Sequence, residues 1–218
     1  MGRMKNTFPF VITISRQLGA GGAYIGQQLA KKLSIFYADR EIIGQAARKL
    51  SVMEEELEPR DEKSLSLWQF LIQSCACTPE TSYIPPQITV PSDRELFKTE
   101  SEIITRIAQE HSTVIIGRCG SYILREHPNH VSMFLHGDLS FRKSRIQKIY
   151  HVSENVAEKM IVQSDEERSQ YHYKFTGKDW ADARQYGLSV NTGRTGVDKT
   201  VDCILTYLEL IKVRDCIP

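Results

Sequence analysis

The chain has 218 residues, and its 28 Lys and Arg against 27 Asp and Glu leave a net charge of +1. That balance excludes a global bias towards nucleic acid or an anionic membrane, so anion binding has to come from local clusters. Apolar residues make up 41% and charged residues 25%, the composition of a globular protein large enough for one domain with an insertion or lid.

Phe10–Ile14 reads as an apolar strand that runs into Gly19, Gly21 and Gly22, and the turn opens a helix with Ile25, Leu29 and Leu33 at helical spacing. Such a junction presents backbone N–H groups at a helix N-terminus, where they bind phosphate. Against the phosphate-loop pattern G-x-x-x-x-G-K-[ST], Gly21 takes the second glycine, Arg16 the first, Gly22 the lysine and Ala23 the hydroxyl. The cradle is present, while two of its working side chains are missing. A dinucleotide-binding loop is the rival reading, from Gly19-Ala20-Gly21, Gly26 and Asp39. Its strict spacing fails because Tyr24 occupies the sixth position of G-x-G-x-x-G. The plainest alternative is a tight turn without ligand.

Ile35–Ala38 is the second strand, followed by Asp39-Arg40-Glu41. A carboxylate there faces the ligand crevice of an open sheet, or caps the helix predicted over Ile42–Leu50. Residues 51–98 read as a helical insertion ending in the proline-containing stretch Thr78–Pro91; its Leu65–Ile72 cluster either packs internally or forms a homodimer contact. Thr99-Glu100-Ser101-Glu102 predicts a capping box ahead of a helix bearing Ile103, Ile104, Ile107 and Ala108.

Val114–Ile116 is the third strand, and the Gly117-Arg118 that ends it suits an arginine fork in the cleft, the alternative being a surface cation. After a fourth strand, Val131–Leu135, a helix carries Arg142, Lys143, Arg145 and Lys148. Arg142 and Arg145 share a face, a repulsion that a bound anion reverses and a solvated face tolerates. Residues 139–180 have no room for a strand and read as a helical lid. Within it Asp165 and Arg168 are three apart, as in a helical ion pair, and Tyr171, His172, Tyr173 and Lys174 either stack a base or pack the lid. Leu188–Val190 is the fifth strand, and Val197, Val201, Ile204, Leu205, Leu208 and Ile211 mark the last helix. Apolar strands alternating with helices imply a largely parallel sheet covered on both faces.

The five cysteines, Cys75, Cys77, Cys119, Cys203 and Cys216, lack the count and spacing of a disulfide framework or zinc site and suit reduced thiols in the cytoplasm. No apolar run approaches the roughly 20 residues that span a bilayer, and no signal-peptide pattern is evident.

Taken in order, Ile14–Gly26, Phe36–Ile43, Val114–Cys119, Phe134–His136, Arg142–Arg145, Asp165–Arg168, Tyr171–Trp180 and Leu188–Thr192 resemble the cytidylate-kinase-like family of P-loop nucleoside monophosphate kinases. The resemblance covers nearly the whole chain and favours a kinase over a dehydrogenase. It implies a P-loop NTPase fold: an α/β, five-stranded parallel sheet flanked by helices, with a helical nucleoside-monophosphate insertion and a lid. The implied domain is 7–218, with its core in 7–50, 99–138 and 181–213. The implied partners are ATP, Mg²⁺ and a nucleoside monophosphate, CMP or dCMP first, with no nucleic acid or membrane and no metal held by the protein alone.

Carried over by position, Gly19, Ala20, Gly21, Gly22, Ala23 and Tyr24 would cradle the ATP phosphates. Asp39, Arg40, Arg118, Asp165 and Arg168 would contact the acceptor. Arg142 and Arg145 would close on the transferring phosphoryl group. Where the family has D-S-G-A-I-Y-R, this chain has Asp39-Arg40-Glu41-Ile42-Ile43-Gly44-Gln45. Arg16 and Arg40 are the candidates to restore the positive charge lost at Gly22, with Arg16 placed among the catalytic residues. A kinase for another small metabolite, or a nucleotide-binding regulatory module without catalysis, are the alternatives.

Overall fold

The computed structural model describes residues 9–39, 42–44 and 93–211. Arg40, the Leu65–Ile72 cluster, the Thr78–Pro91 segment and Cys75, Cys77 and Cys216 lie outside the described residues. The chain divides into two compact units, one of residues 1–39 with 104–218 and one of residues 40–103.

The first unit is built on five strands, β1 (Val11–Arg16), β2 (Phe36–Ala38), β3 (Thr113–Ile116), β4 (His130–His136) and β5 (Leu188–Asn191). They form one sheet in the order β2-β3-β1-β4-β5, with every pairing parallel. Each lies close to its predicted run. β1 extends past the apolar run to Ser15 and Arg16, which pair in register with Phe134 and Leu135 of β4. The register, rather than side-chain polarity, sets where this strand ends.

Side-chain alternation divides the sheet into two faces. Phe10, Ile12 and Ile14 of β1 join Met133 and Leu135 of β4 in the main core. Helix α1 (Gly22–Leu33) adds Ile25 and Leu29, and the last helix adds Val201, Ile204 and Leu208. Each such side chain, fully buried, contributes about 1.5–3 kcal/mol from burial alone. The opposite face carries Thr13, hydrogen-bonded to His130 at 2.7 Å, and an aromatic group of Phe134, Trp180 and Tyr186. Tyr186 and Phe134 stack with centroids 5.1 Å apart, and the Tyr186 hydroxyl donates to the Trp180 carbonyl at 2.8 Å.

Helix α2 (Asp93–Glu110) spans the boundary of the two units. Of the second unit, the described residues are the helical Ile42–Gly44 and the start of α2. The expected capping box at Thr99–Glu102 is corrected by this helix, which begins at Asp93. Thr99 Oγ1 donates to the Glu95 carbonyl at 3.1 Å and Ser101 Oγ to the Phe97 carbonyl at 2.6 Å. Both hydroxyls thus bond back four residues, as in a helix interior, instead of capping an N-terminus.

In the first unit the chain continues through the one-turn helix α3 (Gly120–Ile123) to β4, then α4 (Leu139–Tyr150) and α5 (Glu154–Thr176). These two helices account for most of the 139–180 region, in which the sequence leaves no room for a strand. A small core of Ile146, Ala157 and Ile161 joins α4 to α5, and Lys143 reaches Glu154 at 2.8 Å and Glu158 at 3.1 Å across them. After β5 come the short α6 (Thr192–Thr195) and α7 (Val197–Leu210), whose buried stripe of Val201, Ile204 and Leu208 matches the predicted periodicity. No helix among the described residues is long and apolar enough to cross a membrane.

Candidate functional site

The candidate site lies at the C-terminal ends of β1, β2 and β3, the edge of an open parallel sheet where ligands bind. Its centre is the turn from β1 into α1. Gly19 and Gly21 both adopt left-handed backbone, with φ of +84° and +79°, which glycine reaches without a Cβ penalty. Gly19 has a second reason to lack a side chain, since a Cβ there would sit 2.9 Å from Cβ of Arg142. Gly21 is the N-cap of α1 and no side chain caps that helix, so the N-terminal N–H groups and the positive end of the helix dipole face outward. Gly22, Ala23 and Tyr24 form its first turn. The Tyr24 hydroxyl donates to Asp198 Oδ1 at 2.8 Å, tying that turn to α7. Ala20, between the two turned glycines, is fully buried.

The shape of the loop is imposed from α4 and α5. Arg142 is 7% exposed; its Nε donates to the Gly137 carbonyl at 2.9 Å, and its Nη1 to the Leu18 carbonyl at 3.2 Å and Asp165 Oδ2 at 2.5 Å. Asp165 Oδ1 in turn accepts the Leu18 backbone N–H at 2.8 Å. Arg168 Nη1 reaches the Arg16 carbonyl at 3.2 Å and Asp165 at 3.5 Å. Both backbone groups of Leu18 and the carbonyl of Arg16 are therefore held by three side chains of the two helices. These contacts of Arg142, Asp165 and Arg168 face the loop itself.

Arg145 differs. Its Nη2 lies 3.5 Å from where a Gly21 Cβ would stand, and its Nε is buried with no hydrogen-bond partner among the described residues. A guanidinium N–H taken out of water without an acceptor is costly unless an anion completes it. Helix periodicity brings it to the loop beside Arg142, since residues three apart share a face.

The other flank is formed by the ends of β1, β2 and β3. The Arg16 stem lies on Gly22, and its guanidinium runs against Gly117, which has φ of +75°. Asp39 follows β2 directly. Burial pushes the Tyr37 hydroxyl well above its ordinary range, the Asp39 carboxylate pushes it further, and the Arg16 charge opposes them. Arg118 and Cys119 are both left-handed, with φ of +51° and +54°, a conformation that costs a non-glycine residue about 1–2 kcal/mol. The turn aims the Arg118 guanidinium over the Tyr171 ring, 5.3 Å from its centroid. Tyr171 itself meets Phe175 edge-on at 4.8 Å.

Sequence reasoning identifies the glycines and arginines, Gly117 among them as the end of β3, but misses Tyr37 and Gln17. Gln17 Oε1 accepts the Gly137 N–H at 3.2 Å. What the sequence does not show of Gly117 is its neighbour, since the Arg16 guanidinium packs where its Cβ would stand. His172, in the last turns of α5, is buried and its imidazole is held below the ordinary range by desolvation, so it belongs to packing.

The turn fits the phosphates of a nucleotide: it offers uncapped helix N–H groups, two glycines shaped for close approach and a partly buried guanidinium whose Nε is buried. Protein ligands for a metal are a different matter. Among the described residues no group of three or more His, Cys, Asp or Glu is placed to hold one, and Ala23 offers no hydroxyl.

Comparison with known proteins follows the same lines. The cytidylate kinase-like family matches residues 11–194. A cytidylate kinase of Sulfurisphaera tokodaii is 22% identical over 94% of this chain and 98% of its own length. One of Saccharolobus islandicus is 28% identical over 51% of this chain; the match spans 59% of that relative. Among solved structures, an uncharacterized protein from Eubacterium ventriosum superposes with a TM-score of 0.68 at 24% identity, over 92% of this chain and 98% of its own. A shikimate kinase from Bacteroides thetaiotaomicron does so with 0.51 at 13%, over the same shares of the two chains. The sheet order, the glycine turn and the extent of the match together make this chain a member of the cytidylate kinase-like family.

Proposed function

We propose that the protein is an ATP-dependent phosphotransferase that moves the γ-phosphoryl group of ATP to a nucleoside monophosphate, CMP or dCMP being the first acceptor to test. The observation that carries this reading is Arg145: a guanidinium whose Nε is buried and has no hydrogen-bond partner among the described residues, beside the uncapped N-terminus of α1. Neutral ligands leave that charge unanswered, and a phosphate answers it. The relatives named cytidylate kinases favour a nucleotide acceptor.

In this reading the Gly19–Tyr24 turn binds the donor phosphates through backbone N–H groups, and Arg145 stabilises charge on the group in transit. Mg²⁺ would arrive with the ATP phosphates and keep mostly water and phosphate oxygens around it, as that ion commonly does. Arg142, Asp165 and Arg168 keep the loop in shape. Asp39 and Arg118 lie at the strand ends where the acceptor would approach. Phosphoryl transfer makes no other demand on protein chemistry than positioning and charge.

The test is a coupled assay with ATP, Mg²⁺ and a panel of nucleoside monophosphates. Arg145→Ala should lower kcat about 10²- to 10³-fold, the scale for loss of one preorganised donor, with little change in thermal stability because Nε has no partner to lose among the described residues. Gly22 and Ala23, which lack the lysine and hydroxyl of the loop pattern, favour a second reading as a nucleotide-binding module. ATP binding with no product for any acceptor would decide for it.

A further inference from the structure

The two departures of the loop from its usual pattern are in contact with each other. The usual glycine is Arg16 and the usual lysine is Gly22. A Cβ built on Gly22 would stand 2.5 Å from Arg16 Cγ, 2.9 Å from its Cβ and 3.3 Å from its Cδ. Those atoms are the stem of the side chain, fixed close to the backbone of β1, and they cannot swing aside as a side-chain tip could. The space in which a lysine at position 22 would begin is filled by Arg16.

From there the guanidinium continues to Gly117, where a Cβ would overlap Nη1. Its charge is felt at the Tyr37 hydroxyl, opposing Asp39. The arginine therefore crosses from the start of α1 to the ends of β3 and β2. Glycine is needed at 22 for the stem, while at 117 the left-handed backbone, with φ of +75°, favours glycine and leaves the head its place.

We infer that Arg16 and Gly22 are a reciprocal exchange, in which the loop cation is moved from the helix to the end of β1 and Arg16 binds the phosphoryl group passing between donor and acceptor. The inference rests on the phosphotransferase reading for its catalytic part, and on the packing alone for the exchange. A planar guanidinium presents two N–H groups to one phosphate, where lysine presents a point charge. It also arrives from the side of β3, next to Asp39 and Arg118, and not from α1.

The test compares Arg16→Gly, Gly22→Lys, the double variant R16G/G22K and Arg16→Lys. Folding is followed by circular dichroism, Mg²⁺-ATP affinity by calorimetry, and turnover with the best acceptor of the panel. Arg16→Gly is expected to lose at least 100-fold in kcat with a smaller change in KM, and Arg16→Lys to fall between it and the wild type. Gly22→Lys alone is expected to melt lower than the wild type because its stem meets Arg16. The double variant should melt above Gly22→Lys and turn over at least 10-fold faster than Arg16→Gly. A folded, ATP-binding double variant no faster than Arg16→Gly would overturn the exchange, as would an Arg16→Gly enzyme of wild-type rate. If the wild type transfers no phosphoryl group, the kinase reading fails separately and affinity decides: loss of Mg²⁺-ATP binding in Arg16→Gly with recovery in the double variant supports the exchange, and equal binding by all variants overturns it.

Discussion

At the scale of single residues, the site separates side chains that shape the loop from side chains left to meet a ligand. Asp165 is the hinge of the first group, since one carboxylate serves Arg142, Arg168 and the Leu18 N–H. Its replacement by Asn keeps the volume but removes the charge that compensates the nearly buried Arg142. Breaking such a pair costs about 3 kcal/mol. Urea denaturation of Asp165→Asn should show that loss as a lower midpoint at constant slope; a midpoint within experimental error of the wild type would show that Arg142 finds its compensation elsewhere. The spacing of Asp165 and Arg168 in the sequence discloses their ion pair, and the glycines disclose the turn. What the sequence conceals is that Asp165 serves a backbone N–H 147 residues away. No local pattern encodes a bond between a loop amide and a distant carboxylate. The swapped positions of Arg16 and Gly22 are visible as two anomalies, but only packing makes them one.

At the scale of elements, α5 is the part on which the loop depends most. It carries Asp165, Arg168 and Tyr171 on the side turned to the strand ends, yet it joins α4 through the small core of Ile146, Ala157 and Ile161. The main core holds α7 instead, through Val201, Ile204 and Leu208. Ile161→Ala and Ile204→Ala each remove a fully buried isoleucine and should each destabilise their surroundings by about 2–5 kcal/mol. The consequences differ by place. Ile161→Ala should raise proteolytic cleavage within 139–176 and reduce phosphate binding before the protein melts, through local opening. Ile204→Ala should lower the melting temperature of the whole unit without selective cleavage there. Equal cleavage patterns for the two would contradict a separable α4–α5 layer. Periodicity makes these helices legible, because a buried stripe recurs every three or four residues. The start of α2 escapes it: Thr99–Glu102 has the side chains of a cap, while the helix runs through them with both hydroxyls bonded to carbonyls four residues back.

At the scale of the whole molecule, stability should depend on pH through a histidine remote from the candidate site. His130, at the start of β4 and bonded to Thr13, is pushed down to about 4 by burial, with the neighbouring His127 adding to the shift. The folded protein therefore holds His130 neutral where the unfolded chain, at about 6.5, takes up a proton. Its contribution is complete above pH 6.5 and is lost as the pH falls through 4, a difference of about 3 kcal/mol. Denaturation midpoints at pH 7 and pH 4.5 should differ less in His130→Gln than in the wild type, and an unchanged difference would place the acid sensitivity in other groups. The same whole-molecule view explains why the fold is more legible than the site. Five apolar runs and their intervening helices suffice for the parallel sheet, whereas Arg16, Gly117 and Tyr37 meet only because three separate strands end at one edge.

The central claim is that this edge transfers a phosphoryl group, and the most direct measurement follows the label. ATP carrying a labelled γ-phosphate is incubated with Mg²⁺, the protein and each nucleoside monophosphate, and the products are separated. The account predicts label in a nucleoside diphosphate, with CMP or dCMP as the leading acceptor and a sharp fall in Arg145→Ala. Label that stays in ATP for every acceptor, with ATP demonstrably bound, would contradict it.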